Sequence, residues 1–270
     1  MKNTILITGA TSGIGKATAE FFLEKSWNVI ATGRNSNKLE ELKNKGAKII
    51  ELDVTSDSDI NNLITYLVNN KVLVDVLVNN AGFGQFGTIE ETNINTARKQ
   101  FETNVFGLAA ISQKIIPIMR KNKSGRIINI SSVAGFVSMP GGGWYAASKH
   151  AVEAISDSMR WETKQFGIKV SLIEPGPIKT DFAQNVDKTI VHVSDSPYGD
   201  LMKNLTVSTD NIKGGTVNSC VKKIYKAATR KKPRNRYLVT KEAYLIKLLI
   251  SIFPAKIVDL IVIKMFIGKK

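Results

Sequence analysis

The sequence of 270 residues has one cysteine, Cys220, and only two histidines, His150 and His192. A single cysteine cannot form a disulfide within the chain, and such scarcity is typical of a reducing compartment. The two histidines lack the spacing of metal ligands, so we predict no metal site. We expect a cytoplasmic protein that is stabilised by a hydrophobic core, for which a hydrophobic fraction of 43% is sufficient.

Long uninterrupted hydrophobic runs are also missing. The N-terminal apolar run reaches glycine at residue 9, which is too early for the hydrophobic region of a signal peptide. The segment 242–270 is very apolar, but charged residues interrupt it before the ~18 residues expected of a membrane-spanning helix. Because Pro254 breaks this segment, we predict two short helices, about 242–253 and 255–267.

Acidic residues are scarce near the C-terminal end. Residues 213–270 hold 15 Lys or Arg but only Glu242 and Asp259, a net charge of +13 out of +15 for the whole chain. This charge favours peripheral contact of segment 242–270 with an anionic membrane surface, which would suit a lipophilic substrate. The alternative is that the segment packs on the body of the protein, as a wall of the substrate pocket or an oligomer interface.

The most basic run, ATRKKPRNR at residues 228–236, lacks interleaved aromatic residues that could stack on bases. It also matches no nucleic-acid-binding motif. We therefore interpret it as a solvated basic loop before a strand, and we predict no nucleic-acid partner.

Seven short, nearly continuous apolar runs alternate with longer helical patterns. Such runs are typical of parallel strands that are buried on both faces. Helical segments separate the first six runs, so right-handed crossovers would connect them. The predicted fold is α/β: one Rossmann-type domain over residues 1–270, with a doubly wound parallel sheet and helices on both faces. The predicted strands are 4–8, 28–32, 47–52, 75–79, 125–131, 168–174 and 236–239, and the predicted helices include 13–25, 37–45, 57–70, 92–121 and 145–166.

The first predicted strand leads into TGATSGIG, residues 8–15, and then into a helix. Gly9 permits a tight turn, Gly13 leaves room for a pyrophosphate against the backbone, and Gly15 lets the helix pack close to the sheet. The spacing differs from the common G-x-G-x-x-G pattern. Its position at the first strand–helix junction nevertheless favours a dinucleotide site over an ordinary turn.

A second group of polar residues lies in SSVAGFVSMPGGGWYAASKH, residues 131–150. Tyr145 and Lys149 are four residues apart and share one face of a helix. An ammonium group at ~4 Å, with an effective dielectric constant near 20, supplies the roughly 4 kcal/mol that would lower a phenol pKa by about 3. Ser131 and Ser132 lie just upstream, so a hydroxyl, a phenol and an ammonium could converge. The alternative is an ordinary exposed Tyr–Lys pair at the start of a helix.

Six motifs follow one another along the chain. They are Thr8-Gly9-Ala10-Thr11-Ser12-Gly13-Ile14-Gly15, Asn79-Asn80-Ala81-Gly82, Asn104 in TNVFG, Ser132, Tyr145 with Lys149, and Pro175-Gly176 leading to Thr180. Together they resemble the classical short-chain dehydrogenase/reductase family over residues 4–182, the expected cofactor and catalytic core. Beyond residue 182 the resemblance is only architectural, and in this family that region sets substrate choice.

The resemblance implies hydride transfer between a nicotinamide and a carbonyl or alcohol, with Tyr145 as acid/base. Lys149 would tune Tyr145 and contact the nicotinamide ribose, and Asn104 would hold a water that links Lys149 to solvent. Ser132 would hydrogen-bond the substrate oxygen; it precedes Tyr145 by the family's interval of 13 residues, which Ser131 does not. The residues expected to bind the cofactor are Gly9, Ser12, Gly13, Ile14, Gly15, Arg34, Asp53, Val54, Asn80, Ala81, Gly82, Tyr145, Lys149, Pro175, Gly176, Ile178 and Thr180.

The second predicted strand ends without the acidic residue that binds the ribose 2′-hydroxyl of NAD. Gly33 stands there instead and Arg34 follows, and an arginine can bind a 2′-phosphate through charge-assisted hydrogen bonds. We therefore predict NADP(H) rather than NAD(H), unless Arg34 is an ordinary solvated charge. Asp53 matches the family's adenine-contacting aspartate, and its alternative role is that of an acid near a helix N-terminus.

The favoured function is an NADP(H)-dependent dehydrogenase or carbonyl reductase. An NAD(H)-dependent enzyme and a 3-oxoacyl-thioester reductase are alternatives. A non-catalytic dinucleotide sensor is another, but a sensor has no need of Asn104, Ser132, Tyr145 and Lys149 together. The segment 183–235 is predicted to be a substrate lid region, because long polar loops in compact domains are often lids. The family resemblance also implies a homodimer or homotetramer.

Overall fold

The computed structural model describes residues 2–178, 196–203 and 214–266. All seven predicted strands are present and pair in parallel in the order β3-β2-β1-β4-β5-β6-β7. This order reverses direction at β1 and β4, as in other doubly wound sheets. The strands are β1 Thr4–Ile7, β2 Asn28–Gly33, β3 Lys48–Glu51, β4 Val76–Asn79, β5 Gly125–Ile130, β6 Ile168–Glu174 and β7 Arg236–Leu238.

Helices cover both faces of the sheet. The α-helices are α1 Gly13–Glu24, α2 Glu40–Asn44, α3 Asp57–Asn69, α4 Ile94–Phe101, α5 Leu108–Lys121, α6 Gly143–Thr163, α7 Val217–Thr229, α8 Lys241–Ile252 and α9 Ala255–Phe266. Successive strand residues point to opposite faces, so Ile5 and Ile7 pack in one core cluster and Leu6 in the other. This double burial explains why the strands read as continuous apolar runs.

The predicted helix 92–121 is not one regular α-helix. It begins at Ile94, and a π-helical turn, Glu102–Gly107, separates α4 from α5. A side chain on Gly107 would lie 2.7 Å from Val54 Cγ2, so the turn packs closely on the segment after β3. π-helical turns are frequent at functional sites, and this one carries Asn104.

Helix α7 falls within the predicted lid region but belongs to the helical layer. Cys220, Ile224 and Ala227 are fully buried or nearly so, and α7 packs against α1. Burial raises the pKa of the Cys220 thiol to about 12, so this cysteine is a core residue. Within the predicted lid, residues 183–195 and 204–213 lie outside the described residues.

Both predicted C-terminal helices are present, on either side of Pro254. The Thr240 hydroxyl caps α8 by accepting a hydrogen bond from the Ala243 amide at 3.2 Å. Across the part of the chain that the structure describes, no helix has both the length and the apolar character needed to cross a membrane.

Candidate active site

The predicted cofactor residues gather at one edge of the sheet, because each group follows the carboxyl end of a parallel strand. Gly9 to Gly15 follow β1, Arg34 follows β2, and Asp53 and Val54 follow β3. Asn80, Ala81 and Gly82 follow β4, and Pro175, Gly176 and Ile178 follow β6. This is the edge at which doubly wound sheets bind their ligands. Thr180 lies outside the described residues.

The glycine loop has the backbone shape that the sequence predicts. Gly9 and Gly13 have φ angles of 66° and 54°, in the left-handed region that favours glycine. No atom of the described part of the chain lies within 4 Å of the Cβ position of Gly13, so the space beside its backbone is open there. A Cβ on Gly15 would lie 2.3 Å from the Gly9 carbonyl oxygen, so only glycine allows α1 to start this close to the loop.

Asn80 holds the glycine loop against β4. Its side-chain amide donates to the carbonyl oxygens of Thr8 and Gly9 at 3.0 and 2.9 Å. The Thr8 hydroxyl in turn accepts from the amides of Asn80 and Ala81 at 3.0 and 3.1 Å. The predicted cofactor residues after β1 and β4 therefore form one hydrogen-bonded unit.

Ser132, Tyr145 and Lys149 lie close together near the same edge of the sheet. Tyr145 and Lys149 lie one turn apart on α6 and are 9% and 7% exposed. The Ser132 side chain hydrogen-bonds Tyr145, and its hydroxyl also accepts from the Ala134 amide at 3.2 Å. Ser131 Oγ is buried and has no hydrogen-bond partner among the described residues, so it is not the serine that contacts Tyr145. Of the two serines, Ser132 is therefore the one that contacts Tyr145.

Lys149 and Asn104 both approach Gly82. The Lys149 ammonium donates to the Ile130 carbonyl oxygen at 2.9 Å. The Asn104 side chain bonds the amide and carbonyl groups of Phe83 at 3.0 and 2.9 Å, and donates to Ser148 Oγ at 3.1 Å. Asn104 Oδ1 and Lys149 Nζ lie 2.9 and 3.9 Å from the Cβ position of Gly82. The two polar groups thus converge on one point.

The electrostatics of Tyr145 differ from the sequence expectation, which was a lowered pKa. Burial raises the pKa of Tyr145 to about 12, and the Ser132 hydrogen bond only partly opposes this effect. The Lys149 ammonium points to the Ile130 carbonyl and lies 5.8 Å from the centre of the Tyr145 ring. The expectation was wrong because it counted the cation and omitted desolvation. Tyr145 is therefore a neutral phenol at neutral pH, which is the proton-donating form.

Burial also lowers the pKa of Lys149 to about 8, and the nearby carboxylate of Glu153 acts in the opposite direction. Glu153 lies one helical turn beyond Lys149 and belongs to a cluster of ion pairs. Arg236 binds Glu153 at 3.0 Å, Asp157 at 2.7 Å and Glu174 at 3.2 Å. This cluster fixes α6 to β6 and β7 directly behind the site.

Sequence reasoning missed this cluster. Arg236 was interpreted as the end of a solvated basic run, whereas it is only partly exposed and pairs with buried carboxylates. Glu174 is 1% exposed; burial and the neighbouring Glu153 raise its pKa to about 7, against the effects of Arg236 and Lys247. A glutamate at the end of an otherwise apolar strand was the available signal, because a buried acid requires a partner.

Apolar side chains pack around Tyr145. The rings of Phe86 and Tyr145 are 5.5 Å apart, and Met202, Met139 and Tyr198 pack in the same cluster. Met139 lies in the loop between Ser132 and Tyr145. This lining is suited to an apolar substrate group next to the phenol.

The structure gives Arg34 and Asp53 different surroundings. Arg34 is exposed at the end of β2, and a side chain on Gly33 would lie 2.5 Å from Thr11 Cγ2. Asp53 is half-buried and accepts hydrogen bonds from the amide and hydroxyl of Thr55 at 2.9 and 2.7 Å. Asp53 therefore orders the turn before α3, close to its alternative interpretation.

The remaining predicted cofactor residues lie in the segment that follows β6. The Pro175 carbonyl oxygen accepts from the Val133 amide at 2.8 Å, and Ile178 forms a parallel bridge with Gly215. A side chain on Gly176 would lie 2.3 Å from Thr240 Oγ1, the residue before α8. The open glycine loop, the helix N-terminus at α1 and the exposed Arg34 together fit a phosphate-bearing dinucleotide.

Comparison with known proteins agrees with this geometry. Residues 3–190 match the family model described as short chain dehydrogenase. The NADPH-dependent 3-dehydrocapnine reductase of Ornithobacterium rhinotracheale is 34% identical over 270 residues, covering 96% of this chain and 95% of the relative. The 3-ketodihydrosphingosine reductase of Bacteroides thetaiotaomicron is 36% identical over 197 residues, covering 73% and 71%.

The solved structure of a short-chain dehydrogenase from Streptomyces avermitilis superposes with a TM-score of 0.84. It is 32% identical, and the similarity covers 96% of both chains. Sequence motifs, sheet topology and relatives thus identify one family, whose members bind a nucleotide cofactor and small-molecule substrates. The chain belongs to the short-chain dehydrogenase/reductase family of oxidoreductases.

Proposed function

We propose that this protein is an NADP(H)-dependent oxidoreductase that transfers hydride between the nicotinamide and a lipophilic ketone, aldehyde or secondary alcohol. The observation that carries the proposal is the convergence of Ser132, Tyr145 and Lys149 beside a cluster of apolar side chains. A dinucleotide sensor has no use for this buried set of groups. In particular, a sensor has no reason to bury the ammonium of Lys149.

A nicotinamide cofactor held by the residues after β1, β4 and β6 would supply the hydride for reduction of a carbonyl carbon. Tyr145 gives its phenolic proton to the carbonyl oxygen, so that the C=O group becomes CH–OH. The hydroxyl of Ser132 donates a hydrogen bond to that oxygen as negative charge develops on it. Lys149, with a pKa of about 8, keeps its proton at neutral pH and stabilises the phenolate that Tyr145 leaves behind.

The proton lost by Tyr145 must then be replaced from solvent. Asn104 and Lys149 converge near Gly82, and a water held there would connect the ammonium to the outside. The backbone of Phe83 and the hydroxyl of Ser148 fix the Asn104 amide in one orientation. This leaves Asn104 rigid enough to position a water.

The preference for NADP(H) rests on Arg34. An exposed guanidinium follows β2, and Thr11 fills the space into which a side chain at Gly33 would project. Position 33 has no carboxylate that could accept a hydrogen bond from a 2′-hydroxyl. The guanidinium of Arg34, in contrast, can pair with a 2′-phosphate. A relative named as NADPH-dependent supports the same choice.

The apolar lining formed by Phe86, Met139 and Met202 supports a lipophilic substrate. Two relatives are named as reductases of 3-dehydro and 3-keto compounds, which supports a ketone as the group reduced. We further propose a cytoplasmic homodimer or homotetramer. The exposed side chains of Phe106 and Trp161, at 56% and 65%, are suited to a subunit interface.

The first test of this function replaces Tyr145 with phenylalanine. The variant keeps the ring that packs on Phe86 but loses the titrating oxygen, so turnover of a confirmed ketone should fall by at least about 10²-fold. NADPH binding, followed by fluorescence titration, should persist. Turnover near the wild-type level would disprove the assignment of Tyr145 as the acid.

The second test concerns the cofactor. Arg34→Ala should lower kcat/KM for NADPH by roughly 10- to 150-fold, the equivalent of a charge-assisted hydrogen bond of about 1.5–3 kcal/mol, and should change NADH little. Lys38→Ala is the matched control, since Lys38 is also exposed in the segment after β2. Equal losses for both cofactors in Arg34→Ala would show that Arg34 does not bind the phosphate.

A further inference from the structure

The two C-terminal helices expose an apolar surface that the proposed chemistry does not use. Of the fifteen large apolar side chains exposed in the described part of the chain, nine lie between residues 244 and 263. Patches of this kind mark interaction sites. We propose that α8 and α9 form a docking surface for an anionic lipid bilayer, on which they lie flat beside the substrate pocket.

Helix α8 is anchored on one side and open on the other. Ala243 is fully buried against the body of the protein, whereas Leu245 and Leu248 are 58% and 56% exposed. Tyr244, Leu248 and Ile252 are all exposed and lie four residues apart, so they form one stripe along the helix. Body contacts therefore fix the helix, and none of the residues that the structure describes covers its apolar stripe.

Helix α9 extends this surface. It packs on α8, and its exposed apolar side chains include Leu260, at 66%, with Ile257, Ile261 and Ile263. Each helix has 12 residues and is therefore about 18 Å long. Because the hydrocarbon core of a bilayer is ~30 Å thick, helices of this length are suited to lying in the interface rather than crossing it.

The charges around the apolar surface are mainly positive. Lys241, Lys256 and Lys264 are exposed, and the ammonium of Lys223 from α7 lies 5.9 Å from the ring centre of Tyr244. Lysines that flank an apolar face bind anionic headgroups while their hydrocarbon stems remain in the interface. The aromatic ring of Tyr244 is also suited to the headgroup region.

The same lysines argue against a second copy of this chain as the occupant. Cores of protein–protein interfaces are depleted in lysine, and a two-fold contact through this surface would bring the lysines of both copies together. Like charges that meet in this way are repulsive. An anionic bilayer removes both difficulties, because it neutralises the lysines and accepts the apolar stripe.

The surface adjoins the active site. Thr240, which caps α8, packs against Gly176, and the ammonium of Lys247 lies 4.3 Å from the ring centre of Phe136, in the loop after Ser132. If the substrate is lipophilic, which rests on the proposed function, docking would place the pocket next to the bilayer that holds it. The lipid contact itself does not depend on catalysis.

The test is flotation of the full-length protein with vesicles, without cofactor or substrate. The probes are vesicles of phosphatidylcholine alone and of phosphatidylcholine with 30% phosphatidylglycerol. We expect the wild type to float with the anionic vesicles only and to be released as NaCl is raised to 0.5 M. Wild-type protein that remains at the bottom with anionic vesicles at low salt would overturn the proposal.

Leu245→Glu combined with Leu260→Glu should lower the vesicle-bound fraction at least tenfold. Val68→Glu combined with Leu73→Glu is the matched control, since these side chains are 61% and 50% exposed on the α3 side of the molecule and should leave binding unchanged. Circular dichroism checks that both variants are folded. Equal losses in the two variants, or none in either, would contradict the proposal.

A second variant, Lys256→Glu with Lys264→Glu, changes charge without touching the apolar stripe and should also abolish binding to anionic vesicles. Sedimentation velocity of all variants tests the alternative occupant. If the leucine variant dissociates an oligomer while the wild type shows no vesicle binding, the surface is a subunit interface and the lipid proposal is wrong. Because flotation needs no turnover, its failure would leave the oxidoreductase function untouched.

Discussion

Replacing Lys149 with methionine should stabilise the folded protein while abolishing turnover. The folded protein holds the pKa of Lys149 at about 8, against an ordinary value of 10.5, because its 7% exposed ammonium is largely removed from water. At neutral pH a shift of this size corresponds to a cost of about 3 kcal/mol for keeping the charge inside. Methionine has a similar length and carries no charge, so it avoids this cost.

The gain is smaller than the full cost because a hydrogen bond is lost. The Lys149 ammonium donates to the Ile130 carbonyl oxygen at 2.9 Å, and methionine leaves that bond unmade, at a cost of roughly 1–2 kcal/mol. The expected net effect at pH 7 is therefore an increase of about 1–2 kcal/mol in the free energy of unfolding.

The pH dependence gives a sharper test. The folded-state pKa lies below the unfolded one, so between about pH 8 and 10.5 the unfolded wild type holds more protons than the folded one. Its stability must rise with pH over that interval, so the advantage of the methionine variant should disappear and then reverse as pH approaches 10.5, where mainly the lost hydrogen bond to Ile130 remains. The desolvation cost is thus present at neutral pH and relieved at alkaline pH.

The assay is urea unfolding of both proteins at pH 7 and pH 10, without cofactor and at equal protein concentration. Lys164→Met, at an exposed lysine just beyond α6, is the control and should change stability by less than about 0.5 kcal/mol. A methionine variant at position 149 that is less stable than the wild type at pH 7 would refute the reasoning. So would a gain of equal size at both pH values.

Two further predictions concern the glycine loop and the ion pairs. Gly15→Ala should lower the melting temperature more than Gly13→Ala, because its Cβ would lie 2.3 Å from the Gly9 carbonyl oxygen, whereas the Gly13 position is open and carries only the strain of its φ angle of 54°. Thermal melts without NADPH compare the two variants. Glu153→Gln removes the carboxylate that raises the pKa of Lys149, so the alkaline limb of kcat/KM for NADPH should move to lower pH. Glu162→Gln, at an exposed position of α6, should leave that limb in place.

Most of the fold could be predicted from the sequence, because the information is local. Strands buried on both faces read as apolar runs whatever they pack against, and the seven predicted runs match the seven strands. The break at Pro254 likewise depends only on the chain around it. The π-helical turn at Glu102–Gly107 was missed because long-range contacts, such as that between Asn104 and Phe83, accompany it.

The candidate site was only partly predictable, for the same reason. The spacing of Tyr145 and Lys149 fixes their shared helix face, and the distance to Ser132 agrees with the hydrogen bond in the structure. The pKa of Tyr145 depends on burial by Phe86 and Met202, which are distant in sequence. The sequence around Tyr145 does not reveal this burial. The sequence therefore indicated a lowered pKa for Tyr145, whereas burial raises it.

The ion-pair cluster shows what this burial requires of the rest of the fold. A charged Lys149 is tolerated at 7% exposure because Glu153 lies one turn away, but a second buried acid, Glu174, lies next to Glu153 and would repel it. Arg236 contacts both carboxylates at 3.0 and 3.2 Å and offsets that repulsion. Since Arg236 comes from β7, the last strand of the sheet, the charge state of the catalytic helix depends on a strand that begins 87 residues beyond Lys149. The C-terminal part of the chain therefore supports the electrostatics of the site as well as carrying α8 and α9.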